Sequence, residues 1–293
     1  MSHPIPTKEY DLEMMREEDI TDEILEGEPM TTEYKYLDEK KQHLHTFKGQ
    51  PLYGTSTIVG ILNKPLTWWA AGMALGELGW TNPKLVSKEE GIKIAGKARK
   101  NFFINNEKYY DWLQECYRAH DTKKKTAAVG GTDMHGELEA YVKTMIEANK
   151  GVPIRSDTDN AVGKFSKWAV LNIEKFLFSE GHTYSETYWV GGIVDAGCKM
   201  KDGRTALIDF KSSKEPYYSQ MVQVAGYALQ VAERGILTAT GASVLPPTAI
   251  DEIVVVAFGS DEIKTRAAQN IKDFTEAFKG CLLNYKLSKA FDE

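Results

Sequence analysis

Four short stretches of this chain carry residues whose types and spacing could do chemistry. They are Gly131-Thr-Asp-Met-His135-Gly-Glu-Leu-Glu139, Gly192-Ile-Val-Asp195, Ile208-Asp209-Phe210-Lys211-Ser-Ser213 and Gln223-Val-Ala-Gly-Tyr227. Asp209 and Lys211 are two apart, so on a strand their side chains share a face. Carboxylates on neighbouring strands suit a hard divalent ion, which wants oxygen ligands. Such an ion lowers the pKa of a bound water and clamps a phosphoryl group, which is what hydrolysis of a phosphodiester needs. The Lys211 ammonium could then touch the attacking water or the phosphate. His135 supplies a neutral imidazole, an additional ligand that Mn²⁺ accepts readily. Glu186, nine residues before Asp195, could bind a second ion or its water shell. Gln223 and Tyr227 sit at helical i,i+4 spacing and could orient Lys211 or contact the substrate near the cleaved bond.

A bland reading stands beside this one. An Asp-x-Lys on a strand is usually a solvated edge. Here the segment Ala206-Leu-Ile-Asp-Phe-Lys211 is otherwise apolar on both faces. Burying two charges there is costly unless they serve a metal or pair together. An internal Asp209–Lys211 or Asp195–Lys211 ion pair is therefore the competing account. His135 alone is more often a satisfied core or surface histidine, and Glu139 ranks below the other candidates.

Residues 183–190, 193–200 and 205–211 are strand-like, with Gly191-Gly192 and Asp202-Gly203 as turns. A strict two-residue turn at Asp202-Gly203 would put Asp195 on the face opposite Asp209. A three-residue loop, Asp202-Gly203-Arg204, pairs Asp195 with Lys211 and brings all three groups to one face. The three-residue loop, or an equivalent bulge, is the expectation. A helix is expected from about Ala161 to Glu180, and a second from Pro216, in its first turn, to about Arg234. Asp251–Phe258 reads as a buried strand, and Asp261–Ser288 as a helix with Ile263, Ala267, Ile271, Phe274 and Phe278 along one stripe. Upstream, residues 34–58 look like a short hairpin around Lys48-Gly49-Gln50-Pro51, and Ser56 to about Ile146 is helical, broken at Pro65 and Asn82-Pro83. The order α, three meander strands, α, β, α implies a mixed central sheet flanked by helices, an α/β or α+β domain with an N-terminal helical region.

The chain has 293 residues and a net charge of −6. Residues 1–30, most of an expected flexible arm (1–33), hold ten acids and two bases, so they carry −8 and the remainder of the chain +2. The expected nuclease-like domain is 34–293, divided into a hairpin and helical part (34–130) and a catalytic core (131–293). Lys84–Lys125 holds eleven bases against six acids and interleaves them with aromatic residues. Local field rather than total charge attracts phosphate. Lys123, Lys124 and Lys125 are the best candidates for a phosphate-steering patch, with a solvated lysine run the rival reading. Three scattered cysteines give no disulfide framework and no Cys-x-x-Cys pair. No apolar run approaches a membrane span and no secretory signal opens the chain, so a soluble cytoplasmic protein with no membrane partner is expected.

At these residues the chain resembles the RecB-like branch of the PD-(D/E)xK nuclease superfamily. The match comprises Gly131 to His135, an upstream glutamate at Glu186, Gly192 to Asp195, Asp209-Phe-Lys211-Ser-Ser213 and Gln223 to Tyr227. It covers about residues 55–285 in order and is closest over 183–227. Thr57 to Pro65 looks like the N-terminal region of phage-encoded RecB-like exonucleases, and the motif order is also similar to the mitochondrial genome maintenance exonuclease. The resemblance implies a restriction-endonuclease-like core and Mg²⁺ or Mn²⁺ held by His135, Asp195 and Asp209, with the Phe210 carbonyl as a further ligand. It implies Lys211 as the catalytic lysine, with Glu186, Gln223 and Tyr227 in support. The implied substrate is DNA, single-stranded or with free ends, and the implied setting is phage recombination or replication in the host cytoplasm, alongside a recombination or replication protein. A structure-specific endonuclease and a non-catalytic DNA-binding subunit are the alternatives. The four cysteines of the iron–sulfur members are absent, which excludes that cluster, and no Gly-x-x-x-x-Gly-Lys-[Ser/Thr] motif is present.

Overall fold

The computed structural model describes residues 33–39, 42–62, 67–77, 81, 86–99 and 106–292; residues 1–32, with nearly all of the acidic arm, lie outside the described residues. The described chain begins with an antiparallel ribbon of β1 (Tyr34–Glu39), β2 (Gln42–Phe47) and β3 (Gln50–Pro51). Lys48-Gly49 turns β2 into β3 at positive φ, 51° and 72°. Such a turn needs the left-handed region that glycine enters without penalty. β4 (Tyr53–Gly54), α1 (Thr55–Val59) and a 3₁₀ turn (Gly60–Leu62) follow. Three helices come next: α2 (Thr67–Glu77), α3 (Lys88–Arg99) and the 44-residue α4 (Asn106–Asn149). The expected breaks at Pro65 and Asn82-Pro83 lie outside the described residues. Among the described residues no helix is long and apolar enough to cross a membrane.

The remaining elements are α5 (Ala161–Asn172), β5 (Ile173–Ser185), β6 (Val190–Met200), β7 (Thr205–Lys211), α6 (Tyr218–Arg234), β8 (Ile236–Leu237), β9 (Ser243–Leu245), β10 (Glu252–Ala257), β11 (Lys264–Ala268) and α7 (Ile271–Asp292). They form a mixed sheet in the order β11-β10-β7-β6-β5-β8-β9, with β4 pairing β6. β10 runs parallel to β7, and β5, β6 and β7 form an antiparallel meander. Helices cover both faces. Leu138, Tyr141 and Val142 of α4 and Phe165 and Ala169 of α5 pack on Ala206, Ile208 and Phe210. Met221, Val224, Ala225 and Val231 of α6 pack on Val194, Leu207, Ile253 and Val255 from the other side. The split of β7 between the two faces follows the two-residue period of a strand. β10 is buried throughout, as a parallel strand covered on both faces must be. α7 packs on α6 where Gly226 lets the Phe278 ring approach; a Cβ at Gly226 would stand 2.6 Å from that ring.

The expected order of α, three strands, α, β, α is present, with five departures. The first helix stops at Asn172 rather than Glu180, and β5 begins at Ile173 instead of Thr183. Gly191-Gly192 lies inside β6, not in a turn; the turn is at residues 186–189. Pro216 precedes α6 rather than opening it; Tyr217 caps the helix, and its N–H donates to Gln220 Oε1 at 2.8 Å. The stretch expected as one helix from Asp261 opens with the edge strand β11, so Ile263 and Ala267 leave the stripe that Ile271, Phe274 and Phe278 keep. The β6–β7 loop has three residues, as expected, but they are Lys201-Asp202-Gly203. Met200 N–H donates to the Arg204 carbonyl at 2.8 Å. All three cysteines are free and buried.

Candidate active site

The one-residue shift of the loop sets the register at the site. The β6–β7 ladder runs from Lys199↔Thr205 to Ala196↔Ile208 and stops there. Carried one step further, it sets Asp195 opposite Asp209, not Lys211. The parity still leaves Asp195, Asp209 and Lys211 on one face. Where pairing ends, the Asp195 carboxylate takes over: its Oδ2 accepts the Phe210 N–H at 2.6 Å. The two strands therefore part at the acids, held by a side chain instead of a backbone bond. Asp209 is 2% exposed, and its Oδ2 lies 2.6 Å from the Lys211 ammonium. That oxygen accepts no well-aligned hydrogen bond among the described residues. The contact is thus an ion pair with hydrogen-bonding capacity left over.

Two helices close on this point. α4 brings His135, whose Nδ1 is 3.6 Å from Asp195 Oδ2 and whose ring meets Phe210 edge-on. α6 brings Tyr227, whose hydroxyl accepts from Gln223 Nε2 at 2.8 Å. Gly192 is what admits Tyr227: a Cβ at Gly192 would overlap its ring. Gly191 likewise admits the His45 side chain, 2.9 Å from where a Cβ would stand. These two glycines make room for close packing in a strand, which explains why a turn reading of them fails. His135, Glu139, Glu180, Asp195 and Tyr227 line a cleft of about 790 Å³, with His43 and His45 also on its lining. Lys211 and Gln223 border a smaller cavity of about 260 Å³ that shares Ser56 with the cleft.

Glu180 is the residue that sequence reasoning missed. It lies in β5 between the pairs Ser179↔Ala196 and Gly181↔Val194, at φ 50°, a conformation uncommon for a non-glycine residue. Glu186, expected on a strand near Asp195, is in the turn after β5 and pairs with Arg234. Its own N–H and that of Thr187 donate to Glu233 Oε1. The acid that reaches the cleft from upstream is Glu180. Glu139 is also there and pairs with Lys143. Lys123, Lys124 and Lys125 lie on α4 itself, N-terminal to His135, and their side chains fall outside the described residues. The side chains of most aromatic residues in that region do too.

The electrostatics follow from too many buried acids for one ammonium. Burial, followed by the charges of Asp195 and Glu139, pushes Glu180 up to about 8. Burial raises the Asp195 and Asp209 carboxyls as well, against the pull of Lys211. Burial works against the Lys211 ammonium, but Asp209 and Asp195 outweigh it and hold its pKa above the usual lysine range. His135 is lowered, by burial first and then by Lys211, so its imidazole is neutral. Burial and the nearby Asp209 charge raise the Tyr227 phenol, which keeps its proton.

This donor set, carboxylates with a neutral imidazole and an orphaned carboxylate oxygen, fits a hard divalent ion by type and by charge. No group of three His, Cys, Asp or Glu side chains converges on one point among the described residues. His135, Asp195 and Asp209 are thus adjacent without forming a closed ligand shell. No protein-family model matches this chain, and no curated protein matches it.

Proposed function

We propose that the chain is a Mg²⁺- or Mn²⁺-dependent deoxyribonuclease of the RecB-like PD-(D/E)xK kind, acting as an exonuclease on single-stranded or end-bearing DNA. One observation carries the reading. Asp195, Asp209 and Lys211 meet where β6 and β7 stop pairing, and His135 and Tyr227 close over them from two helices. A bound divalent ion supplies an activated water and neutralises charge on the phosphoryl group. His135, Asp195 and Asp209 are the residues to hold it. Lys211, kept cationic by its two acids, stabilises charge developing on the phosphate. Gln223 holds the Tyr227 hydroxyl in place beside those acids. Glu180 stores a proton near Asp195 that is released when positive charge arrives.

The rival is a DNA-binding subunit in which the 2.6 Å Asp209–Lys211 contact is only a structural ion pair. End-labelled linear and covalently closed circular single strands, incubated with Mn²⁺, Mg²⁺ or EDTA, separate the readings. Metal-dependent loss of the linear strand alone is the expected result. Cutting of the circle makes the protein an endonuclease of the same chemistry, and binding without turnover makes it the subunit.

A further inference from the structure

The wall of the cleft that faces the acids is built from the β1–β2 ribbon. Register pairs Tyr34 with Phe47, Tyr36 with His45 and Asp38 with His43, so these six side chains share one face. At one end Tyr34 and Phe47 are buried against Tyr184. Toward the other end the face opens, and the His43 side chain is 66% exposed. His43 and His45 both line the cleft with Glu139, Glu180 and Asp195.

Each of these histidines has a tyrosine hydroxyl, one diagonal step away, on its Nδ1. Tyr34 Oη is 2.7 Å from His45 Nδ1 and 3.3 Å from His182 Nδ1. Tyr36 Oη bonds His43 Nδ1, with Asp38 Oδ1 3.9 Å from the same nitrogen. A phenol has one proton to give, and the shorter bond assigns that of Tyr34 to His45. A neutral imidazole that accepts at Nδ1 carries its proton on Nε2. With the Tyr34 hydroxyl on its Nδ1, the neutral His45 ring keeps its proton on Nε2, and the exposed His43 ring stands beside it on the same face. Burial keeps both phenols above their usual range, so they remain donors. Burial also lowers His45 to about 3, so it is a neutral donor at any working pH.

Resting on the nuclease reading of this cleft, we infer that His43 and His45 form a substrate-contacting wall whose Nε2–H groups bind phosphodiester oxygens of the strand beside the scissile bond. A donor without charge at His45 suits this place. It can hold a phosphate opposite the acids without forming an ion pair that would neutralise Asp195 or Glu180. Backbone contact of this kind carries no base preference.

His43 provides the test, because its exposure lets it change without disturbing the core. Fluorescence anisotropy would follow a labelled single-stranded oligonucleotide and its abasic counterpart, both in Ca²⁺. The proteins would be wild type, His43→Ala and His43→Gln, with thermal unfolding checked for each. The expected result is roughly tenfold weaker binding of both strands by His43→Ala. His43→Gln, whose amide donor stands near the Nε2 position, should recover most of the loss. Unchanged affinity in His43→Ala overturns the wall and leaves the nuclease reading intact. An effect confined to the base-bearing strand overturns the phosphate contact in favour of a base contact. Failure of the wild type to bind either strand overturns the nuclease reading itself.

Discussion

Replacing Glu180 with glutamine should make the protein more stable, by an amount that depends on pH. The carboxyl is partly buried and sits beside Asp195 and Glu139, which moves its pKa from 4.5 to about 8. An acid whose folded pKa is raised disfavours the fold wherever the unfolded chain would ionise it. That effect is absent below pH 4.5, grows by about 1.4 kcal/mol per pH unit, and levels off above pH 8. At pH 7 it amounts to about 2–3 kcal/mol once the residual solvent contact of the side chain is allowed for. Glutamine keeps the backbone conformation and most of the volume, so the left-handed strain at φ 50° is common to both proteins and cancels. For a chain of this size the gain corresponds to a rise in Tm of roughly 3–5 °C at pH 7. Scanning calorimetry of both proteins from pH 5 to pH 9 measures it. The gap should be small at pH 5, widen through pH 7 and be constant above pH 8. A Glu180→Gln protein no more stable than wild type at pH 8, or a gap independent of pH, would refute the argument that uncompensated negative charge is concentrated at this site.

Three further outcomes follow from the same geometry. Adding Mn²⁺ to metal-free protein at pH 7 should release protons, fewer as pH rises through 8, since the ion displaces the proton held at Glu180; calorimetry in two buffers of different ionisation enthalpy measures it, and Glu180→Gln should release fewer. Gly192→Ala drives a methyl group into the Tyr227 ring and should destabilise by about 1–3 kcal/mol, read by urea unfolding, with cleavage falling alongside as Tyr227 moves. Burial holds His45 at about 3 and His182 at about 4, so both are neutral in the fold and become charged on unfolding below pH 6.5. Their contribution is full above that pH and is lost as pH falls toward 4, at about 1.4 kcal/mol per unit each. His182→Asn should flatten the acid limb of the stability curve by one such slope.

The sequence made the grouping of candidate residues more legible than the strands that carry them. Residue type and spacing single out Asp195, Asp209, Lys211, His135 and Tyr227, and the structure sets them next to one another at the end of the β6–β7 pairing. The elements without a clean period are the ones whose pattern misleads. β5 has bulges at Ile173/Lys175 and Phe176/Phe178, so its apolar residues never alternate strictly and imitate a helical stripe. Glu180 lies inside the stretch whose pattern imitates a helix, so the sequence points to Glu186 as the upstream acid instead. β11 is an exposed edge strand of mostly polar and small residues, with no buried face to mark it, and it merged into the helix that follows. Gly191-Gly192 carries the signature of a turn, but its purpose is to admit His45 and Tyr227, partners from distant parts of the chain. The loop length was right and its position wrong by one residue, because Asp202-Gly203 marks the turn without fixing where pairing resumes.

The most direct test of the central claim is the rate of single-strand cleavage by wild type and Lys211→Ala, each in Mn²⁺ and in EDTA, with both proteins shown to be folded. Hydrolysis by the wild type in Mn²⁺ alone, abolished in Lys211→Ala while its unfolding transition remains cooperative, is the predicted result. Equal cleavage by the two proteins, or cleavage that persists in EDTA, would contradict the account of Asp195, Asp209 and Lys211 as the catalytic group.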